Sequence, residues 1–496
     1  MKKEKPNVVY ILADDMGYGD ISALNENCKF QTPHFDEMCR EGIAFCDAHS
    51  TSAVCTPSRY SILTGRYNWR SRLKSNVLGG YSPHLIEEGR TTLGHLFQRN
   101  GYQTAAIGKW HLGMDFETTH EFYELENHMA PEGVDDGVDY TKRIKYAPVT
   151  NGFDYFWGIA GSLDMPPYVY IENDRFTQVP DHRCETSKGK GWYRPGPTAP
   201  GFLHEKVLDE LCEKVIGQIE KYKENPFFIY FAMPAPHGPI LPEKQFQGKS
   251  GTNEYGDFVL QCDDVVGRIV DKLKKEGVYN NTIIVYTSDN GCSPIADYEE
   301  LKKVGHNPSY IFRGTKSDIY EGGHRIPYLI QWPDVIPKNK RCHRTVCLSD
   351  FMATMADVLG DSLGEAEGVD SVSNISLWKN PESEGVREYT VHQSIDGSLA
   401  IRNHSFKLEM CPGSGGWSYP EAGEITKEMP EVQLYDLEND IGETTNVVGK
   451  YPDVYERMRA ELIKIVKNGR STEGTVQQNN GVQVWDTVRW MEDNDG

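Results

Sequence analysis

Two short apolar runs limit the architecture of this chain more than any other feature. Residues 7–13 pass through Val8-Val9-Tyr10-Ile11-Leu12-Ala13 and stop at Asp14-Asp15-Met16-Gly17. Residues 282–287 repeat the plan, a β-branched apolar run that stops at Ser288-Asp289-Asn290-Gly291. A run of this length without apolar/polar alternation suits a strand covered on both faces, as in a parallel sheet. Open α/β sheets place ligands beyond the carboxyl ends of their strands. In a parallel sheet both ends lie on one edge, so Asp14, Asp15, Asp289 and Asn290 can converge there. Adjacent acids alone are more often a solvated turn or a helix cap.

Further elements fill in around these runs. Residues 91–100 read as an amphipathic helix ended by Gly101, and 104–107 as a small buried strand. Val207, Leu208, Leu211, Val215 and Ile219 share one face of a helix over 204–223, and a strand follows at 227–232. A helix over 257–276, strands at 43–46 and 328–332, and a helix over 349–359 complete a mostly parallel α/β sheet flanked by helices. Residues 360–376 turn acidic and polar, which places a boundary between a catalytic domain (1–365) and a smaller C-terminal α+β subdomain (366–496). Short strands at 388–392, 399–402, 406–409 and 432–436, with a helix over 452–467, predict a small antiparallel sheet packed by one helix. Residues 114–200 lack periodicity and read as a functional loop region walling a pocket, and the last residues read as a polar tail.

Composition narrows the function. The 496 residues carry a net charge of −21, with 52 basic against 73 acidic side chains, which argues against nucleic acid or an anionic membrane as partner. Any anionic substrate must be held by local cations against that overall field. Apolar content of 38% supports a sizeable core. The eleven cysteines show no paired zinc-type spacing and read as reduced thiols. Residues 1–6 run directly into the first strand with no secretory segment, so a cytoplasmic location is expected.

The chemistry centres on Cys55-Thr56-Pro57-Ser58-Arg59, continued by Leu63-Thr64-Gly65-Arg66. Pro is tolerated in a first helical turn, so a helix opens at the thiol, and its N-terminal N–H groups favour an anion. Arg59, one turn on, is placed to add a bidentate donor for a tetrahedral oxyanion. An isolated Cys is usually a small buried hydrophobe. This string, however, closely resembles the signature of the type I sulfatases, in which the Cys becomes formylglycine and its hydrated aldehyde attacks a sulfate ester. Gly108-Lys109-Trp110-His111-Leu112-Gly113 resembles the second signature of that family. Arg313-Gly314-Thr315-Lys316, continued by Tyr320-Glu321-Gly322-Gly323-His324-Arg325, resembles a third. Met233-Pro234-Ala235-Pro236-His237-Gly238-Pro239 resembles its Pro-His-x-Pro loop.

The resemblance implies an alkaline-phosphatase-like fold and a role for each matching residue. Asp14, Asp15, Asp289, Asn290 and modified Cys55 would hold a divalent metal. Lys109, Lys316 and Arg59 would hold the sulfate, His237 would protonate the departing alcohol, and His111 would deprotonate the second formylglycine hydroxyl. An all-oxygen donor set selects a hard cation, with Ca2+ favoured over Mg2+ because an irregular protein cage tolerates its looser geometry. A soft thiol suits such an ion poorly, which gives a chemical reason for conversion of Cys55 to 3-oxoalanine by a formylglycine-generating or maturase enzyme. Tyr81-Ser82-Pro83 and the segment Gly158-Ile159 to Ser162 resemble the arylsulfatase A and N-acetylgalactosamine sulfatase branch. That makes Tyr81 and Ser162 candidate substrate contacts and favours a sulfated galactose or N-acetylgalactosamine over a steroid or choline ester, within a substrate class of sulfated carbohydrates or aryl sulfates. Arg70, Arg72, His404 and Trp417 are further possible sugar or anion contacts. Two alternatives stand beside this reading: a phosphate or phosphonate monoester hydrolase of the same superfamily, and a non-catalytic binder of sulfated glycans.

Overall fold

The computed structural model describes residues 5–119 and 137–492. Its elements in chain order are β1 (Asn7–Asp14), α1 (Pro33–Glu41), β2 (Ile43–Phe45), α2 (Cys55–Thr64), α3 (Leu93–Arg99), β3 (Gln103–Lys109) and β4 (Tyr155–Ile159). They continue with α4 (Val207–Tyr222), β5 (Phe227–Pro236), α5 (Glu254–Lys275), β6 (Thr282–Ser288), β7 (Tyr328–Gln331) and α6 (Phe351–Leu359). The last are β8 (Thr390–Gln393), β9 (Leu399–Arg402), β10 (Phe406–Glu409), β11 (Gln433–Asp436) and α7 (Pro452–Lys467).

Among the described residues ten strands form the main sheet, whose central order is β2-β7-β6-β1-β5-β3-β4. From β6 to β4 every neighbour is parallel, and β7 is antiparallel to both β6 and β2. Strand β1 sits in the middle, with Val8 opposite both Phe228 and Ile283, and it is buried from end to end. Its side chains alternate between two cores, as a pleated strand requires. Val9, Ile11 and Ala13 pack with α1, α4 and α5 on one face. Val8, Tyr10 and Leu12 pack with α2, α3 and α6 on the other. The parallel register brings Ala13 beside Ser288 and Asp14 beside Pro236, so β1, β5 and β6 all end at one edge.

The small sheet is antiparallel in the order β8-β9-β10-β11. Its apolar face (Val391, Leu399, Ile401, Leu408, Leu434) packs on Met458, Leu462, Ile465 and Val466 of α7. Leu377 and Trp378 still belong to the core of the main sheet, and the chain reaches the small sheet only at β8. Ser52 pairs with Gln393 of β8, so this sheet braces the segment leading into α2.

Three expectations are corrected. Residues 114–200 are not all loop: β4 joins the main sheet beside β3, and Ile171–Glu172 and Arg175–Phe176 extend it. The C-terminal segment is not merely a polar tail, because Trp485, Val488 and Met491 are buried against the small sheet. Helix α1, absent from the sequence reading, covers β7 and packs on α5. All eleven cysteines carry free thiols. Among the described residues no helix is long and apolar enough to cross a membrane.

Candidate active site

Cys55 is the first residue of α2, whose N-terminus faces the edge where β1 and β6 end. Ser58 Oγ donates to the Ser52 carbonyl at 2.8 Å, and Ala53 N–H donates to the Gln393 carbonyl at 2.9 Å. These bonds fix the approach to the thiol. The helix ends at Gly65 in the left-handed region (φ 61°), whose N–H bonds the Ser61 carbonyl.

The predicted acids converge at that edge. The ligand atoms of Asp14, Cys55 and Asp289 lie within 4.8 Å of one another, as do those of Asp14, Asp15 and His237. Asn290 Nδ2 donates to Asp15 Oδ1 at 2.7 Å, and Asp15 N–H donates to Asp289 Oδ1 at 3.2 Å. Asp15 takes a left-handed backbone (φ 62°), which turns its carboxylate back over the strand ends. Asp14, Asp15, Asp289 and Asn290 are all buried.

Packing three carboxylates together has electrostatic consequences. Burial and the repulsion of Asp14 and Asp15 outweigh Arg59 and raise Asp289 to about 7. Burial also acts on Asp14, but Lys109, His237, Arg59 and Lys316 together hold it well below its ordinary value. Burial raises the Cys55 thiol as well, with Lys109 and Lys316 opposing, so the thiol is no ready nucleophile.

The cations sit on the acids. Lys109 Nζ is 2.7 Å from Asp14 Oδ2, and Lys316 Nζ is 2.7 Å from the Asp15 carboxylate. Arg59 is fully buried, with its guanidinium turned onto the acids. Its Nε and Nη2 both bond Asp289 Oδ2 (3.0 and 2.7 Å), Nη2 lies 3.3 Å from Asp14 Oδ1, and Nη1 reaches the Lys109 carbonyl at 3.2 Å. A buried guanidinium needs counter-charge, and the carboxylates supply it.

Two histidines are held in defined orientations. His111 Nε2 bonds the Leu78 carbonyl at 2.6 Å, which places the proton on Nε2 and leaves Nδ1 buried with a bare lone pair. Burial first, and Lys109 second, keep its pKa well below the usual histidine range, so it is a neutral base. Thr56 Oγ1 donates to the His111 carbonyl at 3.0 Å, tying this histidine to the residue after Cys55. His237 Nδ1 bonds its neighbour's carbonyl at Gly238, and Nε2 faces Asp15 Oδ2 at 3.5 Å.

Ser162 links the two sides of the site: its Oγ is 3.2 Å from Lys109 Nζ and 3.4 Å from His237 Nδ1. Tyr81 is packed at 4% exposure. Of the weaker candidates, Arg70 is not at the site but buried in an ion pair with Asp370, 2.7 Å away. Arg72 Nη2 bonds the Pro83 carbonyl, and His404 is exposed in the turn between β9 and β10. Trp417 is exposed, with its N–H bonded to Ser317 Oγ beside Lys316.

The donor set fits a divalent cation. Asn290 Oδ1 is buried without a hydrogen-bond donor, Asp14 Oδ1 has only the ion-pair contact to Arg59, and apart from the Cys55 thiol and a His237 nitrogen the nearby ligand atoms are hard oxygens. The Cys55 sulfur stands where the oxygens of a formylglycine hydrate would be.

This edge therefore carries an anion-binding helix start, a metal-type carboxylate set and two oriented histidines. Comparison with known proteins agrees. The Sulfatase family matches residues 6–361, and the chain belongs to it. It is a sulfuric ester hydrolase; sulfatases generally act through a formylglycine and a divalent metal. A relative at 32% identity is the N-acetylgalactosamine-6-O-sulfatase of Bacteroides thetaiotaomicron, spanning 94% of this chain and 93% of that protein. Human N-acetylgalactosamine-6-sulfatase is 29% identical over 72% of this chain and 62% of its own length. A solved structure from work on glycosaminoglycan metabolism by B. thetaiotaomicron superposes with a TM-score of 0.79 at 30% identity, covering 93% of this chain and 99% of that one.

Proposed function

We propose that this sulfatase removes sulfate from a sulfated galactose or N-acetylgalactosamine unit, at the 6-position, with formylglycine at position 55 and Ca2+ at the acidic edge. The observation that carries the reading is the convergence of Asp14, Asp289 and Cys55, with His111 and His237 fixed beside them. The sugar follows from the named activity of the relative that matches nearly the whole chain.

Asp14, Asp15, Asp289 and Asn290 would hold the cation, which supplies Lewis acidity toward a sulfate oxygen and toward the hydroxyl at position 55. The chain's own groups do the rest. Lys109 and Lys316 are released from Asp14 and Asp15 to hold the sulfate oxygens, where each such donor is worth about 10²–10³ in rate. Arg59 keeps Asp289 aligned. With Nδ1–H held by the Gly238 carbonyl, His237 acts as the acid in its imidazolium form and gives the Nε2 proton to the departing sugar oxygen. His111 Nδ1, bare and neutral, accepts a proton from the group at position 55 to complete the cycle.

The test is turnover of 3-, 4- and 6-sulfated galactose and N-acetylgalactosamine by protein made with a formylglycine-generating enzyme. Preferred hydrolysis of a 6-sulfate supports the proposal, and a preference for aryl phosphate over the matched aryl sulfate overturns it.

A further inference from the structure

We infer that Asp164 and Arg194, flanked by Trp192, form the subsite that reads a ring hydroxyl of the departing sugar. The inference rests on the sugar reading above. It starts from Ser162, which touches both Lys109 and His237, so the residues just after it border the space where the alcohol leaves. Two residues on, Asp164 is 8% exposed. Its Oδ2 is ion-paired with Arg194 Nη1, but its Oδ1 has no hydrogen-bond partner. Arg194 Nε is likewise buried without a partner. A buried acceptor and a buried donor left open on one ion pair are costly unless something completes them. A sugar supplies both partners, one hydroxyl donating to Asp164 Oδ1 and a neighbouring oxygen accepting from Arg194 Nε.

The surroundings hold this pair rigidly beside the proton donor. Arg194 N–H donates to the Asp164 carbonyl at 3.1 Å, and Tyr168 donates its hydroxyl to the Arg194 carbonyl at 2.6 Å. Ile240, three residues after His237, donates its N–H to the Lys190 carbonyl at 2.8 Å, which pins the 189–194 segment against the His237 loop. His237, Arg194 and the nearby Ser162 hydroxyl act together on the Asp164 carboxyl, overcome its burial and hold its pKa below the ordinary value. Trp192 is 39% exposed, with the Arg194 guanidinium 4.9 Å from its ring centroid. An exposed indole beside a donor–acceptor pair is the chemistry that recognises a sugar face and one hydroxyl, rather than an aromatic alcohol.

The experiment compares Asp164→Asn and Arg194→Gln with wild type on three substrates: N-acetylgalactosamine 6-sulfate, its deoxy analogues, and 4-nitrophenyl sulfate, which has no ring hydroxyls. For wild type, removing the hydroxyl that is read should cost about tenfold to a hundredfold in kcat/KM. Each variant should lose the same factor on the intact sugar, lose its discrimination against the deoxy analogue, and keep its 4-nitrophenyl sulfate turnover within about twofold. Equal losses on sugar and aryl sulfate would overturn the inference, since the pair would then serve the catalytic groups. Unchanged sugar kinetics would overturn it as well. If wild type cleaves 4-nitrophenyl sulfate but no sulfated sugar, the sugar reading itself fails and this inference with it. Wild-type sugar activity with indifferent variants removes this inference alone. If Asp164→Asn does not fold, Arg194→Gln carries the same comparison.

Discussion

Two buried charged clusters lie a few residues apart in this molecule, and they are built on opposite principles. One is the edge where Asp14, Asp15 and Asp289 meet Arg59, Lys109 and Lys316. The other starts at Asp47 and His49, just before the α2 segment, and joins Glu321, His324 and His392 to Arg325, Arg402, Lys407, Glu409 and Glu443. Both contain acid and histidine groupings close enough to hold a metal. The second pairs its acids with its own cations, although His324 Nε2 and both Glu409 oxygens make no hydrogen bond. His49 bonds Asp47 at 2.9 Å and His324 at 3.0 Å, and His392 bonds the Ser50 carbonyl and Thr390. Lys407 lies 2.7 Å from Glu443 and 3.2 Å from Glu409, and Arg402 bridges Asp47 and Glu321. The first leaves the Asn290 amide oxygen open and forces Asp289 up to about 7. The ion pairs of the second cluster hold β8–β10 against the segment before Cys55, whereas the first, on the proposed reading, is completed by a cation and an anion.

The largest effect that separates the clusters is at position 55. Cys55→Ala should remove measurable sulfate-ester turnover and leave the thermal midpoint within a few degrees of wild type, read by an aryl sulfate assay and a melt. Next, His237→Ala and His111→Ala should each lower kcat by about 10²–10⁴ without loss of fold. A fall in stability rather than in rate would place these histidines with the second cluster.

The second cluster should answer in the opposite currency. Lys407→Met strands buried acids and should cost about 3–5 kcal/mol of unfolding free energy by urea titration, while kcat of the folded fraction stays near wild type. The last effect is on pH. Burial lowers His49 to about 4, with Arg402 acting the same way, and keeps His324 and His392 well below the usual range. These groups bind protons more readily in the unfolded chain, so their neutral forms cost nothing above about pH 6.5. As pH falls from there toward 4, each should remove up to about 1.4 kcal/mol per unit. Melting curves should show the loss, and His392→Asn should make it shallower.

The sequence was most readable where one residue type could do one thing. Unbroken apolar runs ending in acids located β1, β6 and the edge where their acids meet, and the strings around Cys55, Lys109 and Lys316 fall beside that edge. What remained hidden depends on partners far apart in the chain. Strand β4 has only half-buried Tyr155 and Trp157 on one face and sits among glycines and acids, so its pattern reads as loop. The His49–His324 contact joins residues 275 positions apart, and no local periodicity announces it. Arg59 looked free on its helix because the Asp289 that occupies it arrives from another strand. Asp164 carried a signal only in its spacing from Ser162.

The most direct measurement is metal content of purified protein by elemental analysis, made on wild type, Asp14→Asn and His324→Ala after dialysis against trace calcium. The account predicts a stoichiometric divalent ion, calcium, in wild type and in His324→Ala, and its loss from Asp14→Asn. Retention in Asp14→Asn with loss from His324→Ala would contradict it, because the ion would then belong to the second cluster.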